Sequence, residues 1–529
     1  MRSLHTIARH VRTRATNPTY IDFRSVSIDT RSLAVFRIAA ALLIVADILL
    51  RSRNFGFFYT NEGVVPQSLA MEMTPDNAIS VYYLTTDSTV IAALFVVQVL
   101  IALQLLIGYR TTIATVLSFL LVISLDHHNP LVLSYADVLF RLLLFWAIFL
   151  PLGERWSVDA VHADSEPRAR ITSLASAAIL VQIVYMYFLN GYHKRESELW
   201  TGGEATPLIM GLDNTTFLLG EFMRSFPTLL QYGGLTWYYM LLFSWLLLVL
   251  RGRARLFLVA MFIGGHASFA ITVRIGAFPY VAIAGLVLFL QTQFWDDANA
   301  LLRAPPLDRA RVTPPYARLE RLGARLPQFG VDARTHERIT SGLYSIALVI
   351  AVTSLLVIPA VSHMPIGGFV DDEGGPKERV DDTAATVAVQ QPDWSVFAPH
   401  PRTSDRYYVF PAATADGEVI DVYNDREHTY DRPHDELQQQ FDTYRERFYM
   451  NSVRRGGPDD LVSATLATHY CETWQEDRDV ELTHVNMYYG IEDVTLETID
   501  DPADRDREIR LIYGHGCGNN EPVEVAPPE

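Results

Sequence analysis

The chain divides at about residue 361 into an apolar part and a polar part. A membrane-crossing helix needs about 20 mostly apolar residues. Nine stretches approach that requirement: 34–50, 89–108, 111–125, 132–152, 171–191, 235–250, 255–272, 276–293 and 341–361. The third is short, and the partly apolar stretch 213–234 reads as a re-entrant or interfacial segment. Beyond 390 the period changes. Alternating runs at Tyr407–Phe410, Val419–Tyr423, Val485–Tyr489 and Ile509–Tyr513 predict strands. Leu437, Phe441, Tyr444 and Phe448 predict an amphipathic helix over 435–450. The expected architecture is a polytopic α-helical membrane protein of about nine spans with a small C-terminal α+β domain. Its parts are a basic tail (1–33), the transmembrane domain (34–361), a Gly/Asp/Pro-containing linker (362–390) and an acidic domain (391–529).

Charge orients this scheme. Residues 362–529 carry 36 acidic and 14 basic side chains, a net of −22, while the whole chain of 529 residues is −17. The first 361 residues therefore carry a positive excess. Short basic loops face the cytoplasm. The Arg-Gly-Arg-Ala-Arg run at 251–255 and the stretch 296–339, with Arg303, Arg309, Arg311, Arg318, Arg321, Arg325, Arg334 and Arg338, fall on one side of the nine-span scheme. That side also holds the N-terminal tail, with Arg2, Arg9, Arg12, Arg14, Arg24 and Arg31. The N-terminus is thus expected in the cytoplasm and the acidic domain outside the cell membrane. The Asn214-Thr215-Thr216 sequon on an outside loop is a weak further sign. The positive-inside pattern accounts for the only basic cluster, which leaves no case for a nucleic-acid partner. No secretory signal peptide precedes the first apolar run, which reads as a signal anchor. Cys471 and Cys517 form no framework, although they could pair in an external domain. Only two lysines, Lys194 and Lys377, stand among 43 basic residues. An acidic surface that avoids lysine resembles proteins of high-salt organisms; a GC-rich genome is the alternative reading.

Ionisable residues inside hydrocarbon are costly and mark candidate sites. Arg37, Asp47 and Arg51 lie on the first apolar run, with Asp47 and Arg51 spaced to pair on one helix face. Asp126-His127-His128-Asn129-Pro130 follows the third, and Asp137 and Arg141 repeat the i, i+4 spacing inside the fourth. Adjacent histidines seldom point the same way, so no metal is expected there. Asn190-Gly191-Tyr192-His193-Lys194 closes the fifth run. A lysine at such an edge is either a snorkelling residue or a titratable base. Arginine, used almost everywhere else in the chain, cannot supply a base. His266 in the seventh run and Arg274 beyond it complete the set.

Several of these stretches resemble the vitamin K-dependent gamma-carboxylases and the wider HTTM membrane proteins. They are Ser32-Leu33-Ala34-Val35-Phe36-Arg37 with Asp47, Leu106-Ile107-Gly108-Tyr109-Arg110, His128, and Trp156-Ser157-Val158-Asp159. Further along come Tyr187-Phe188-Leu189-Asn190-Gly191-Tyr192-His193-Lys194 followed by a Trp, then His266 with Ile275-Gly276 and Phe278. The resemblance implies a membrane enzyme in which a lysine deprotonates a reduced quinone of the vitamin K or menaquinol type. Oxygenation of the quinol then drives carboxylation of a peptide or protein glutamate. Carried over, Lys194 is the base, and His128 and His266 hydrogen-bond quinol or carbanion oxygens. Arg37, Asp47, His193, Arg274, Asp137 and Arg141 line or brace the quinone pocket. The sequence departs from the family at His193, where a second lysine is common, and in its shorter C-terminal domain. Trp394-Ser395-Val396-Phe397-Ala398-Pro399 resembles microbial HTTM members instead. Another acceptor for the quinol chemistry is therefore an open alternative. So is a non-enzymatic quinone- or lipid-binding membrane module or assembly partner. A transporter is disfavoured by the odd span count and the lack of an inverted repeat.

Overall fold

The computed structural model describes residues 23–163, 166–303, 320–321, 323–327, 344–363, 375–456, 460–478 and 480–527. Most of the N-terminal tail, Arg309, Arg311, Arg318, Arg334 and Arg338, and residues 364–374 of the linker lie outside the described residues.

Among the described residues, six helices are long and apolar enough to cross a membrane: Thr30–Tyr59, with a break near its end, Ser88–Ile107, Thr111–His128, Leu174–Lys194, Gly252–Thr272 and Tyr344–Ser362. A seventh is formed if Phe278–Phe289 and Thr292–Leu301, bent by 99°, count as one span. This falls short of the nine expected. The 132–152 stretch yields only the helix Tyr135–Ala147, about 20 Å at 1.5 Å per residue. The 235–250 stretch is split into Pro227–Leu242 and Leu246–Val249. Large apolar side chains such as Leu42, Leu49, Val96, Leu100, Ile346 and Ile350 are exposed around the helices. A contiguous apolar exterior of this kind is a surface for lipid.

Local sequence sets the helix ends. Asp87 accepts from Thr89 N at 2.8 Å and Val90 N at 3.2 Å. Ser134 and Asp137 form a reciprocal capping box, whose side-chain oxygens accept from backbone N–H groups that the first helical turn leaves unpaired. Gly108 ends its helix in the left-handed region at φ 68°, where a Cβ would stand 2.4 Å from Ser157 Cβ and 2.7 Å from an Arg37 nitrogen. Only glycine fits both the conformation and the space.

Contacts define two poles of the bundle. At one, Ser32 donates to the Leu290 carbonyl at 2.8 Å, and Asp159 accepts from Arg110 N and Thr111 N at 2.8 and 2.7 Å. Gly252 N donates to Gln291 there, and Tyr344 reaches the Phe149 carbonyl. At the other, Arg53 pairs with Asp442 at 2.8 Å and Arg445 donates to the Val132 carbonyl at 3.2 Å. There too Lys194 and Arg274 meet the C-terminal part of the chain. This second pole carries the C-terminal domain.

That domain is α+β. Its central strand, Leu482–Asp493, pairs antiparallel with Arg507–Gly516 along one edge. Along the other edge it pairs with Ser404–Val409 and then with Pro411–Thr414. Val419–Asp421 and Arg426–Glu427 extend the sheet from Pro411–Thr414. All four expected strands are present, in part with shifted ends. The expected helix over 435–450 is displaced: Leu437–Gln440 is a single 3-10 turn, and the helix runs Tyr444–Arg455 from a Thr443 cap. Helix Leu461–Arg478 had no counterpart in the sequence reading. Within the linker, Pro376–Ala385 is helical. Cys471 and Cys517 form a disulfide, joining helix Leu461–Arg478 to the end of the sheet across 46 residues. A closed loop of that length restricts the unfolded chain by about 4 kcal/mol. Reduction is therefore expected to lower the melting temperature of the purified protein, and to lower it much less in Cys471→Ser/Cys517→Ser.

Asn214 is only 3% exposed, and its amide is held by Arg402 and by the Arg406 carbonyl. The sequon is not available in the folded protein and gives no support to the orientation.

Candidate functional site

A cavity of about 580 Å³ lies at the domain pole, among helices Leu174–Lys194, Pro227–Leu242 and Gly252–Thr272 and the segment 394–397. Its size falls within the usual range of about 300–1,000 Å³ for small-molecule sites. The wall is mostly apolar: Met186, Met210, Leu230, Trp237, Met240, Leu241, Phe269 and Phe278. Gly233, Thr236, Gly264 and Ser268 line the cavity and are also exposed. The cavity thus reaches the lateral surface between two helices.

Its polar groups come from one helix face. Tyr187, Asn190 and Lys194 recur at i, i+3 and i+7, the spacing of one stripe on an α-helix, and all three line the cavity. Lys194 is 2% exposed. Its Nζ donates to the Val396 carbonyl at 2.6 Å and the Phe397 carbonyl at 3.1 Å, and stands 4.0 Å from the Trp200 ring centroid. Among the described residues it has no carboxylate partner. Asn190 donates to the Trp394 and Val396 carbonyls at 2.7 and 3.0 Å, and Trp200 Nε1 to Phe397 at 2.8 Å. The 394–397 strap is therefore fastened by side chains gripping its backbone. Across the cavity His266 is fully buried, with Nε2 2.7 Å from the Tyr187 hydroxyl. Trp237, Phe269 and Phe278 surround the imidazole, and its Nδ1 is buried without a hydrogen-bond partner.

The structure brings Lys194 and His266 into this cavity and leaves His128 out. His128 lies between Tyr59 and Tyr82, with Nε2 3.2 Å from the Tyr59 carbonyl. It shares the domain pole with Lys194 but not the cavity wall. Arg37 is at the opposite pole, where its guanidinium gathers the carbonyls of Leu152, Arg155 and Trp156 at 2.6–3.1 Å. His193 packs edge-on to His363, outside the cavity lining. Arg274 ties the bundle to the C-terminal domain through the carbonyls of Gln438, Phe441 and Asp442 at 2.7, 3.1 and 3.0 Å.

Asp47, Asp137 and Arg141 belong to a separate buried ion set. Arg51 pairs with Asp47 at 2.8 Å and Asp126 at 2.7 Å, and Arg141 pairs with Asp126 at 2.8 Å. The i, i+4 pairing of Asp47 with Arg51 is present, whereas that of Asp137 with Arg141 is replaced. Asp137 instead accepts from Arg445 of the C-terminal domain at 2.9 Å. Arg445 also pairs with Asp47, so three carboxylates meet three guanidiniums. A recess of about 40 Å³ beside them is far smaller than the main cavity.

The sequence reading missed Trp200, Trp237 and the strap carbonyls as parts of the site. The i, i+3, i+7 spacing of Tyr187, Asn190 and Lys194 is the signal in the sequence that points to one helix face. The strap is recognised by its backbone, which no residue pattern encodes.

Fold and site together define a helical membrane protein with a lysine-bearing apolar cavity beside a C-terminal α+β domain. Residues 25–295, just over half of the chain, match the HTTM domain family, and the chain belongs to that family. This is consistent with a vitamin K-dependent carboxylase-like HTTM membrane protein. Comparisons with curated proteins and with solved structures gave no match.

Proposed function

We propose that the chain is a carboxylase-like membrane enzyme that takes a reduced lipid quinone into the lateral cavity and uses Lys194 as its base. The observation that carries this reading is a buried lysine without a carboxylate partner, set in an apolar cavity that opens sideways between two helices. The residues fit such a ligand: apolar walls suit rings and an isoprenoid tail, while the polar stripe suits phenolic oxygens. A bound quinol supplies the reducing equivalents for oxygenation. Lys194 accepts a phenolic proton at Nζ. The His266–Tyr187 pair, with Nδ1 unpaired, donates to or accepts from the second oxygen. Asn190 and Trp200 hold the strap that keeps water from the amine. The acceptor would be a glutamate or another carbon acid delivered from the C-terminal domain side.

The topology we infer has nine crossings, with the N-terminus cytoplasmic and residues 391–529 outside. That count includes the 132–152 and 235–250 stretches, which form shorter helices at Tyr135–Ala147 and at Pro227–Leu242 with Leu246–Val249. The Cys471–Cys517 disulfide favours an oxidising compartment for the domain.

One observation favours a quinone- or lipid-binding module without turnover. As an ammonium, Lys194 has three donors; two meet carbonyls and the third faces Trp200, which would make it a structural clasp. The test is purification from native membranes with mass spectrometry of bound lipid, followed by reduced-naphthoquinone oxidation under oxygen. A co-purifying quinone with lysine-dependent turnover is the expected result. A bound quinone without turnover would establish the module, and neither would overturn both readings.

A further inference from the structure

The C-terminal domain is strongly acidic, yet it gathers arginines that make no direct ion pair among the described residues, Arg402 alone feeling the charge of nearby Asp405. Arg402, Arg406 and Tyr408 alternate along the Ser404–Val409 strand and its approach, which places them on one face. Arg447 and Arg454 lie seven residues apart, two helical turns, on one side of helix Tyr444–Arg455. The two faces meet at Tyr408, whose buried hydroxyl donates to the Met450 carbonyl at 3.0 Å. The Tyr408 hydroxyl feels the charges of Arg402, Arg406 and Arg454, and Arg447 in turn feels that hydroxyl. None of the four makes an ion pair among the described residues. Arg402 is held by the Asn214 amide, Arg447 by the Arg274 carbonyl at 2.8 Å, and Arg454 rests over the Tyr489 ring.

The nearby carboxylates are committed elsewhere. Asp405 points to the other face of the strand, where it accepts from Arg505 at 2.8 Å and from the amides of Asp213 and Asn214. Glu446 accepts from the Tyr423 hydroxyl and Asp442 N. The Nε atoms of Arg402, Arg447 and Arg454 are buried with no partner, and Arg447 itself is 8% exposed. Burial, aided by the neighbouring charges of Arg402 and Arg274, pushes the Arg447 guanidinium down to about 9, and Arg406 falls to about 10 for similar reasons. Like charges gathered with unused donors repel one another, and an anion joining them would relieve that cost.

We propose that Arg402, Arg406, Arg447 and Arg454, arranged around Tyr408, bind a multivalent oxyanion of the phosphate or pyrophosphate type where the C-terminal domain meets the bundle. Guanidinium forks match such oxygens in pairs. The site is separate from the Lys194 cavity and does not depend on the proposed quinol chemistry.

The test uses the full chain in zwitterionic-lipid nanodiscs, titrated with pyrophosphate against sodium chloride of equal ionic strength. Pyrophosphate is expected to bind saturably and to raise the melting temperature above the chloride control, as any ligand of the native state does. Arg406→Gln/Arg454→Gln is expected to weaken binding by more than about tenfold and to melt no lower than the parent in chloride alone. Arg510→Gln, an exposed arginine paired with Glu508, should bind as the parent does. Repeating the titration with anionic lipid separates the sources: competition identifies a headgroup phosphate, and its absence a free anion. No melting shift beyond chloride in the parent protein, or equal affinity in the double variant, would overturn the proposal.

Discussion

Lys194→Met is expected to abolish quinol-dependent turnover, and Lys194→Arg is expected to fail equally while restoring the lost stability. The pair separates two jobs of one amine. Methionine has similar length and no donors, so it strands the Val396 and Phe397 carbonyls that Nζ now satisfies. A buried acceptor left unpaired costs about 1–3 kcal/mol, and the strap over the cavity should loosen. Arginine supplies donors to both carbonyls but cannot serve as a base. General-base catalysis contributes typically about 10²–10⁴-fold, so both variants should lose at least that factor. Turnover would be followed by reduced-naphthoquinone oxidation and stability by thermal unfolding of the same preparations. If Lys194→Arg kept turnover within about tenfold of the parent, the lysine would be a clasp and not a base.

The second large effect is expected at a residue outside the membrane part. Arg445→Met removes one of three guanidiniums facing Asp47, Asp126 and Asp137 and leaves a buried carboxylate uncompensated. Breaking such a set from one side costs about 3–5 kcal/mol, to be read by thermal unfolding in nanodiscs. Asp137→Asn in the same chain restores neutrality while keeping an oxygen for the Ser134 cap. Arg445→Met/Asp137→Asn should therefore be more stable than Arg445→Met alone. Equal stability of the two would show that the set is screened by water and that charge balance does not hold the domains together.

These residues show what the amino-acid order reveals. The long apolar runs announced the bundle because burial in lipid demands length and composition, both linear properties. Tyr135–Ala147 and Pro227–Leu242 fell short because polar caps and a break near Phe243–Trp245 interrupt their hydrophobic stretches. Lys194 stood out because it is one of two lysines in the chain, and His266 because it is ionisable within an apolar run. His128 looked equivalent by the same rule. Yet sharing a pole is not sharing a cavity, and only packing decides that. Arg445 was invisible as a partner for Asp137: its helix was placed too early, since Arg445 and Arg447 are buried where a hydrophobic period expects apolar side chains. Its target lies 308 residues away.

That separation has a consequence in time. Chains are made at about 5–20 residues per second. Asp137 therefore precedes Arg445 out of the ribosome by roughly 15–60 s at that rate. Through that interval the helices hold three carboxylates against two guanidiniums, and the surplus charge needs water or a proton until the last partner arrives. The bundle is thus completed from its C-terminal end, and a chain released before residue 445 leaves the membrane with an unfinished fold.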